Sequence, residues 1–316
     1  MSCELRPIAA AMAAVAAALA LVGCGLGAGQ APSGVQVLVT RDFGERQLHR
    51  AVGLRVQGQE TVMSLLVRNY SVGTRFGGGF VESIDGLSGG QEAGQQVDWF
   101  YYVNGVEAGK GAAATNVHPG DHIWWDRHDW SQTEHIPAVV GSFPEPFLNG
   151  LGGKRLPVRV ECASVAEYAC QTVTERLRAF GVPAAIAALG SAGEPETLRV
   201  MVGPWIRAEG DPASASILEG PRASGVYARF SRNGTSLNLL DRDGRVVRTL
   251  IGGAGVVAAT RRGEDAPVWV VTGTDPAGVD LAARAFEAGT LESRFAVAVI
   301  PSGVLPLPLV GARQGR

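Results

Sequence analysis

Two short aromatic segments joined by a tight turn constrain the fold of this chain more than any other feature of its sequence. Residues 98–130 read DWFYYVNGVEAGKGAAATNVHPGDHIWWDRHDW and hold seven aromatic residues. The runs WFYYV and HIWWD favour strands, because aromatic and β-branched side chains suit a pleated surface. Asn104-Gly105 directly follows the first run, and both residue types tolerate the positive φ of a tight turn. The segment therefore predicts two strands of a small sheet.

The order of predicted elements over residues 35–130 is that of a β-grasp. The strand-like runs are residues 35–44, 47–56, 80–85, 99–103 and 122–126. Between the second and third run, Val62, Leu65, Leu66 and Tyr70 recur at helical spacing. Two strands, one helix and three strands predict an α+β domain in which one helix packs across a mixed sheet.

Alternation along the aromatic strands divides their side chains between the two faces of the sheet. If Ile123 faces the helix, Trp125 does too, and Trp124 points the other way. By the same alternation, Phe100 and Tyr102 share the outer face with Trp124. Three outward aromatic residues form a patch that a monomer has no packing reason to expose. We therefore expect this outer aromatic face (Phe100, Tyr102 and Trp124) either to bind a ligand or partner, or to be covered by the rest of the chain.

The motifs TVMSLL, FVESIDG, WFYYVNG and GDHIWW resemble the transcobalamin-like C-terminal domain family. The resemblance spans about residues 35–130 and implies the β-grasp fold. In the cobalamin carriers of that family, the domain closes over one face of a corrinoid. Carried over by position, the resemblance implies that residues 100–102 and the loop at residues 109–115 approach a ligand. The candidate ligand-binding residues are Phe100, Tyr102, Lys110 and Trp124.

Polar residues of the last predicted strand raise the alternative of a metal site. His122, Asp126 and His128 lie an even number of residues apart and would share one strand face. Histidine and aspartate are common zinc ligands. Solvated positions beside tryptophans explain the same residues more simply, so we predict neither a metal nor a cofactor.

The N-terminus has the pattern of a bacterial lipoprotein signal. Arg6 precedes an uninterrupted run of apolar or small residues that is too short to cross ~30 Å of hydrocarbon. The run ends in LVGC, which resembles a lipobox and implies a lipid on Cys24. We expect a signal peptide over residues 1–23, a flexible tether over 24–34, and a location outside the cytoplasm on the cell membrane. An uncleaved anchor and plain secretion are the alternatives.

The net charge bears on the possible partners of the protein, and the proline content bears on the middle of the chain. The formal net charge of −2 gives no electrostatic case for a nucleic-acid partner. The stretch SQTEHIPAVVGSFPEPFLNGLGGKRLP contains four prolines and shows no sustained strand or helix period. This composition predicts a linker over residues 131–156.

Residues 157–316 predict an α/β domain that resembles no family we recognise. A strand-like LPVRVEC precedes a helix over about residues 164–180, and Cys162 and Cys170 would join the two by a disulfide in an oxidising compartment. Two strand–helix–strand units follow, and each has an Asp-Pro pair at the start of its helix, Asp211-Pro212 and Asp275-Pro276. Aspartate suits the N-cap and proline the first helical position.

The sequence favours a binding protein over an enzyme. The C-terminal domain contains no histidine and no concentrated group of acids and bases, so its sequence suggests no set of catalytic residues. We expect a non-enzymatic surface lipoprotein that binds a small ligand, with a corrinoid for delivery to a transporter as the most specific case. The alternative is a membrane-anchored structural or protein-interaction module without a small-molecule ligand.

Overall fold

The computed structural model describes residues 34–191 and 194–309. The predicted signal peptide, Cys24 and nearly all of the tether lie outside these residues, so those predictions stay untested. The strands are β1 (Val35–Arg41), β2 (Arg46–Leu54), β3 (Val72–Arg75), β4 (Phe80–Ile84), β5 (Leu87–Ser88), β6 (Gly90–Glu92), β7 (Gln95–Val103), β8 (Val106–Glu107), β9 (His122–Asp129), β10 (Val158–Cys162), β11 (Ala184–Ala188), β12 (Leu198–Pro204), β13 (Ala228–Phe230), β14 (Ser236–Leu240), β15 (Val246–Ile251), β16 (Gly255–Thr260), β17 (Val268–Gly273), β18 (Ala296–Ile300) and β19 (Gly303–Leu307).

Short helices accompany these strands, and the fold is a mixed α+β structure dominated by sheets. The α-helices are α1 (Val62–Asn69), α2 (Tyr168–Ala179), α3 (Trp205–Ala208), α4 (Pro212–Ala215), α5 (Pro221–Ser224), α6 (Pro276–Ala285) and α7 (Ala288–Leu291). Single 3-10 turns occupy Phe76–Gly78, Ala112–Ala114 and Ser216–Glu219. Within the described part of the chain, every helix is too short or too polar to traverse a bilayer.

The N-terminal part, residues 34–130, contains a mixed sheet with the strand order β2-β1-β9-β7-β6, in which β8 also pairs with β7, and a separate three-stranded sheet of β3, β4 and β5. β1 and β9 are parallel and place Val37 opposite Ile123, whereas β7 is antiparallel to β9. Helix α1 begins at a capping box made by Thr61 and Ser64 and lies over one face of this sheet. Its buried residues share a core with Ile123 and Trp125, as strand alternation predicts.

The C-terminal part, residues 157–309, contains a seven-stranded sheet with the order β11-β10-β12-β17-β16-β18-β19. The strands from β11 to β17 pair in parallel, and the others pair antiparallel. Helices α2 and α6 pack on one face of this sheet around a buried aliphatic and aromatic core. The predicted disulfide is confirmed, and it joins Cys162 at the end of β10 to Cys170 in α2.

Local turn and cap chemistry in the C-terminal part follows the sequence closely. Asp211 and Asp275 cap α4 and α6 by accepting backbone N–H groups, and a proline starts each helix. The hairpin of β14 and β15 turns at residues 241–244. Helix α2 begins later than predicted, at Tyr168, so Val165 precedes the helix and is 53% exposed.

The connecting segment, residues 131–156, is packed between other elements. Val139 and Val140 are fully buried, and Phe143 is nearly so. The Val139 N–H donates to Gly105 O of the N-terminal part at 2.8 Å, and the Val140 N–H donates to Phe295 O of the C-terminal part at 3.2 Å. From Gly34 onward the chain forms one compact unit, because this segment and a shared core join the two parts.

Candidate functional site

The outer aromatic face lies on the side of the sheet opposite α1, as alternation predicts. Phe100, Tyr102 and Trp124 pack with residues of the C-terminal part, whereas Trp125 belongs to the core under α1. Tyr102 and Trp124 have 0% of their surface exposed, and Phe100 is half-buried. Of the two alternatives for the outer aromatic face, the structure shows the second one, because the rest of the chain covers these residues.

Phe295, just before β18, lies at the centre of the residues that cover the outer aromatic face. Its ring centroid lies 5.1 Å from that of Trp124 and 5.6 Å from that of Tyr102, in edge-to-face contacts. Phe43, in the turn between β1 and β2, reaches across from the N-terminal part and meets Phe295 at 5.3 Å and Tyr227 at 5.3 Å. The two parts of the chain thus share one aromatic cluster.

Two glycines allow the backbone to come this close to Trp124. A Cβ on Gly141 would lie 2.6 Å from Arg294 N and 2.7 Å from the Trp124 ring. A Cβ on Gly44, whose φ is +78°, would lie 2.0 Å from Ser293 O. Neither position has room for a side chain, so the segment before β18 lies directly against the N-terminal part.

The Asp126 carboxylate holds the turn that presents Phe43. It accepts the backbone N–H of Phe43 at 3.1 Å and of Gly44 at 2.9 Å, and the Thr40 hydroxyl at 2.5 Å. The Thr40 hydroxyl oxygen in turn accepts the Trp124 indole N–H at 2.7 Å. These bonds satisfy a carboxylate with no exposed surface, and they fix the orientation of the tryptophan beneath the cover.

The three candidate metal ligands, His122, Asp126 and His128, do not lie around one point. His128 Nδ1 lies 2.8 Å from Asp126 Oδ1, and the His128 ring stacks on Phe100 with centroids 4.5 Å apart. His122 is at the beginning of β9, four residues or ~13 Å along the strand from Asp126. Burial, with a contribution from Arg50, lowers the pKa of His122 to about 4. Among the described residues, no three histidine, cysteine or acidic side chains are grouped as a metal site requires.

Two tyrosine hydroxyls are buried where the two parts meet. Tyr102 Oη and Tyr227 Oη have no hydrogen-bond partner among the described residues. Burial raises the pKa of both phenols, and the nearby carboxylate of Glu107 raises that of Tyr102 further. Both hydroxyls therefore stay protonated and neutral at physiological pH, which suits an apolar interface better than a catalytic acid or base.

Lys110, the fourth candidate, is exposed in the loop between β8 and β9. The Tyr101 hydroxyl donates to the backbone carbonyl of Lys110 at 2.5 Å and so anchors the loop to the sheet. Beside this loop lies the tip of the β3–β4 hairpin, where Phe76 is 87% exposed and Phe80 is 36% exposed. We did not single out this aromatic pair from the sequence, although the run FGGGF, two phenylalanines around three glycines, is a signal for it.

A cavity of about 430 Å³ lies on the C-terminal part beside Arg199 and Asp211. Arg199 Nη2 donates to Glu161 Oε2 at 2.8 Å and to Asp211 Oδ2 at 2.5 Å. The bonds to Glu161 and Asp211 raise the pKa of the Arg199 guanidinium. Because its charge is already matched inside the protein, Arg199 gives the cavity no ligand preference.

Comparison with known families gives a match to part of the chain. Residues 59–129 match the model of a family described as "Domain of unknown function (DUF4430)". This range includes α1, both aromatic strands and the motifs through which the chain resembles the transcobalamin-like family. A search of curated proteins finds no match. The chain therefore contains a DUF4430 domain whose outer aromatic face is covered by the C-terminal part.

Proposed function

We propose that this protein is a non-enzymatic, membrane-anchored interaction module whose N-terminal part is a β-grasp domain. A lipid on Cys24 holds it on the outer side of the cytoplasmic membrane. The observation that carries the proposal is the complete burial of Tyr102 and Trp124 under Phe295. The outer aromatic face serves to join the two parts of the chain, and partners bind elsewhere on the resulting body.

Binding of a corrinoid on the outer aromatic face is the competing function. It would require the C-terminal part to move away and to expose both Trp124 and Phe295. Exposing a buried aromatic side chain costs about 1.5 to 3 kcal/mol, and several such side chains would be exposed together. Hydrogen bonds around this interface would be broken as well, such as the one that Gln95 Nε2 donates to Asp243 Oδ1 at 3.0 Å.

Equilibrium dialysis distinguishes the two functions. The Cys24→Ser variant of the chain is dialysed against a panel of corrinoids, with a known cobalamin carrier as the positive control. We expect no saturable binding up to high micromolar ligand. Tight, saturable binding would overturn the proposal and restore ligand capture. A Phe295→Ala variant serves as the matched comparison, since binding by this variant alone would place a ligand site beneath the cover.

The lipid anchor has its own test. The chain is expressed with its own N-terminus in a bacterium, and the membrane-extracted protein is analysed by mass spectrometry. We expect a chain that begins at Cys24 and carries a diacylglyceryl group, and we expect the Cys24→Ser variant to lose it. An unmodified chain that begins upstream of Cys24 would contradict the anchor.

A further inference from the structure

The tip of the β3–β4 hairpin exposes an aromatic pair that nothing in the described chain covers. Among the residues that the structure describes, Phe76 is the most exposed large apolar one, at 87%, and its ring centroid lies 6.3 Å from that of Phe80. Phe76 has a φ of +53°, and three glycines follow it. An aromatic side chain at an exposed tip contributes little to folding, so the pair has a reason to be there other than packing.

Contacts place this tip at the end of the sheet where the described chain begins. A Cβ on Gly111 would lie 3.4 Å from Gly79 O, so the tip rests against the loop that carries Lys110. This loop runs from the end of β7 to the beginning of β9. Because β9 is parallel to β1, with Gln36 opposite His122, that end of the sheet is also where Gly34 enters β1.

The tether is short enough to keep this end of the protein near a membrane. Residues 25–33, nine residues, separate Cys24 from Gly34. Even fully extended, this segment spans only about 35 Å. A lipid on Cys24 would therefore keep Gly34, and with it the end of the sheet that carries the hairpin tip, within about 35 Å of the bilayer surface.

We propose that Phe76 and Phe80 insert into the interfacial region of the bilayer that holds the lipid anchor. Aromatic side chains favour this region, where their rings lie among the headgroups and the upper acyl chains. The exposed Lys110 beside the tip suits anionic headgroups. Glu264 approaches Gly109 of the same loop and is paired with Arg261 at 3.2 Å, so these side chains leave only a small net charge beside the tip and the apolar contact carries the interaction.

The membrane contact rests on the proposed lipid anchor, and it can be tested without relying on natural lipidation. The chain from Cys24 onward is coupled through the Cys24 thiol to maleimide-bearing lipids in phosphatidylcholine and phosphatidylglycerol vesicles. The disulfide between Cys162 and Cys170 leaves Cys24 as the reactive thiol. A Phe76→Trp variant reports contact through quenching by lipids brominated near the top of the acyl chain.

Ile251→Trp is the matched control, because Ile251 is 84% exposed but lies toward the opposite end of the molecule. Ile251 lies shortly before the first residue of β16, and Glu264 lies shortly after the last residue of that strand. Because Glu264 approaches Gly109 in the loop beside the tip, Ile251 is at the end of β16 that is far from the tip. Emission from the wild type on the same vesicles is subtracted. We expect brominated lipid roughly to halve the added emission of Phe76→Trp and to leave that of Ile251→Trp unchanged.

Equal emission changes for the two variants would overturn the membrane contact and leave the aromatic pair for a protein partner. The two proposals fail separately in these experiments. An unlipidated Cys24 in cells, with quenching at position 76 on the coupled vesicles, would refute the natural anchor alone. Lipidated Cys24 without quenching at position 76 would refute the membrane contact alone.

Discussion

Gly141 shows at the scale of a single residue how tightly the two parts of the chain meet. A methyl group on Gly141 would overlap both the Arg294 backbone and the Trp124 ring. The positions of both neighbours are determined by elements of different parts of the chain. A side chain at Gly141 must therefore push the two parts away from each other.

Gly141→Ala should lower the free energy of unfolding by about 1 to 3 kcal/mol, the usual cost of overpacking a core. Urea unfolding followed by tryptophan emission measures this change. Gly289→Ala is the matched control, because a Cβ there meets nothing within 4 Å and Gly289 lies in helix α7. The control should be neutral or slightly stabilising. Equal effects of the two substitutions would show that the contact at Gly141 is loose.

Glu145, in the connecting segment, is a buried carboxyl group whose protonation is linked to folding. Burial raises its pKa from 4.5 to about 7, and the Asn149 backbone N–H that donates to Oε2 at 2.9 Å only partly opposes this. The folded protein therefore binds a proton that the unfolded chain releases between about pH 4.5 and pH 7. Stability from this group is present at low pH and is lost as the pH rises through 7.

Glu145→Gln should remove that loss. Relative to the variant, the wild type should lose about 2 to 3 kcal/mol of stability between pH 5 and pH 8, at 1.4 kcal/mol per unit of pKa difference. Chemical denaturation of both proteins at each pH gives the difference, in which the titration of all other groups cancels. A difference that does not change with pH would contradict the raised pKa.

At the scale of elements, the disulfide joins β10 to α2 across a sequence separation of eight residues. Closing so short a loop should stabilise the fold by about 2 to 3 kcal/mol, chiefly by restricting the unfolded chain. Reductant should therefore lower the urea midpoint of the wild type. The double variant Cys162→Ala and Cys170→Ala should start from a lower midpoint and should not respond to reductant. A response by the double variant would mean that reductant acts elsewhere.

Elements defined by local chemistry could be predicted from the sequence. The turn at Asn104-Gly105, the caps Asp211 and Asp275 and the opposite orientations of Trp124 and Trp125 all depend on neighbours in sequence. Coverage of Trp124 was one of two alternatives that the sequence left open, and the covering residue Phe295 could not be predicted, since it is far along the chain. The packing of residues 131–156 was missed for the same reason, because their composition is typical of a linker and their partners lie in two different sheets.

At the scale of the whole molecule, the N-terminal and C-terminal parts share one hydrophobic cluster that includes Trp124, Val139 and Trp205. Polar contacts surround it, among them an ion pair between Arg50 and Glu292 and a longer one between Arg242 and Asp42 at 3.9 Å. A core that is shared in this way couples the unfolding of the two parts. We therefore expect one cooperative transition for the described chain.

Phe295→Ala should lower the free energy of unfolding by about 3 to 5 kcal/mol, because it opens a cavity at the centre of the shared cluster. Phe76→Ala, at an 87% exposed position, should change it by less than about 0.5 kcal/mol. Calorimetry measures both effects and also counts the transitions. Two separate transitions in the wild type, or equal effects of the two substitutions, would show that the parts fold independently.

The burial of Trp124 also bears on where this protein can be divided. The family match ends at residue 129, but the hydrophobic cluster that contains Trp124 extends to Leu307, near the end of the described chain. A fragment cut to the family limits would present Trp124, Tyr102 and Phe100 to water, and we expect it to aggregate. The end of the family match and the end of the packed unit are therefore different positions in this chain. A fragment for expression should be designed from the packed unit.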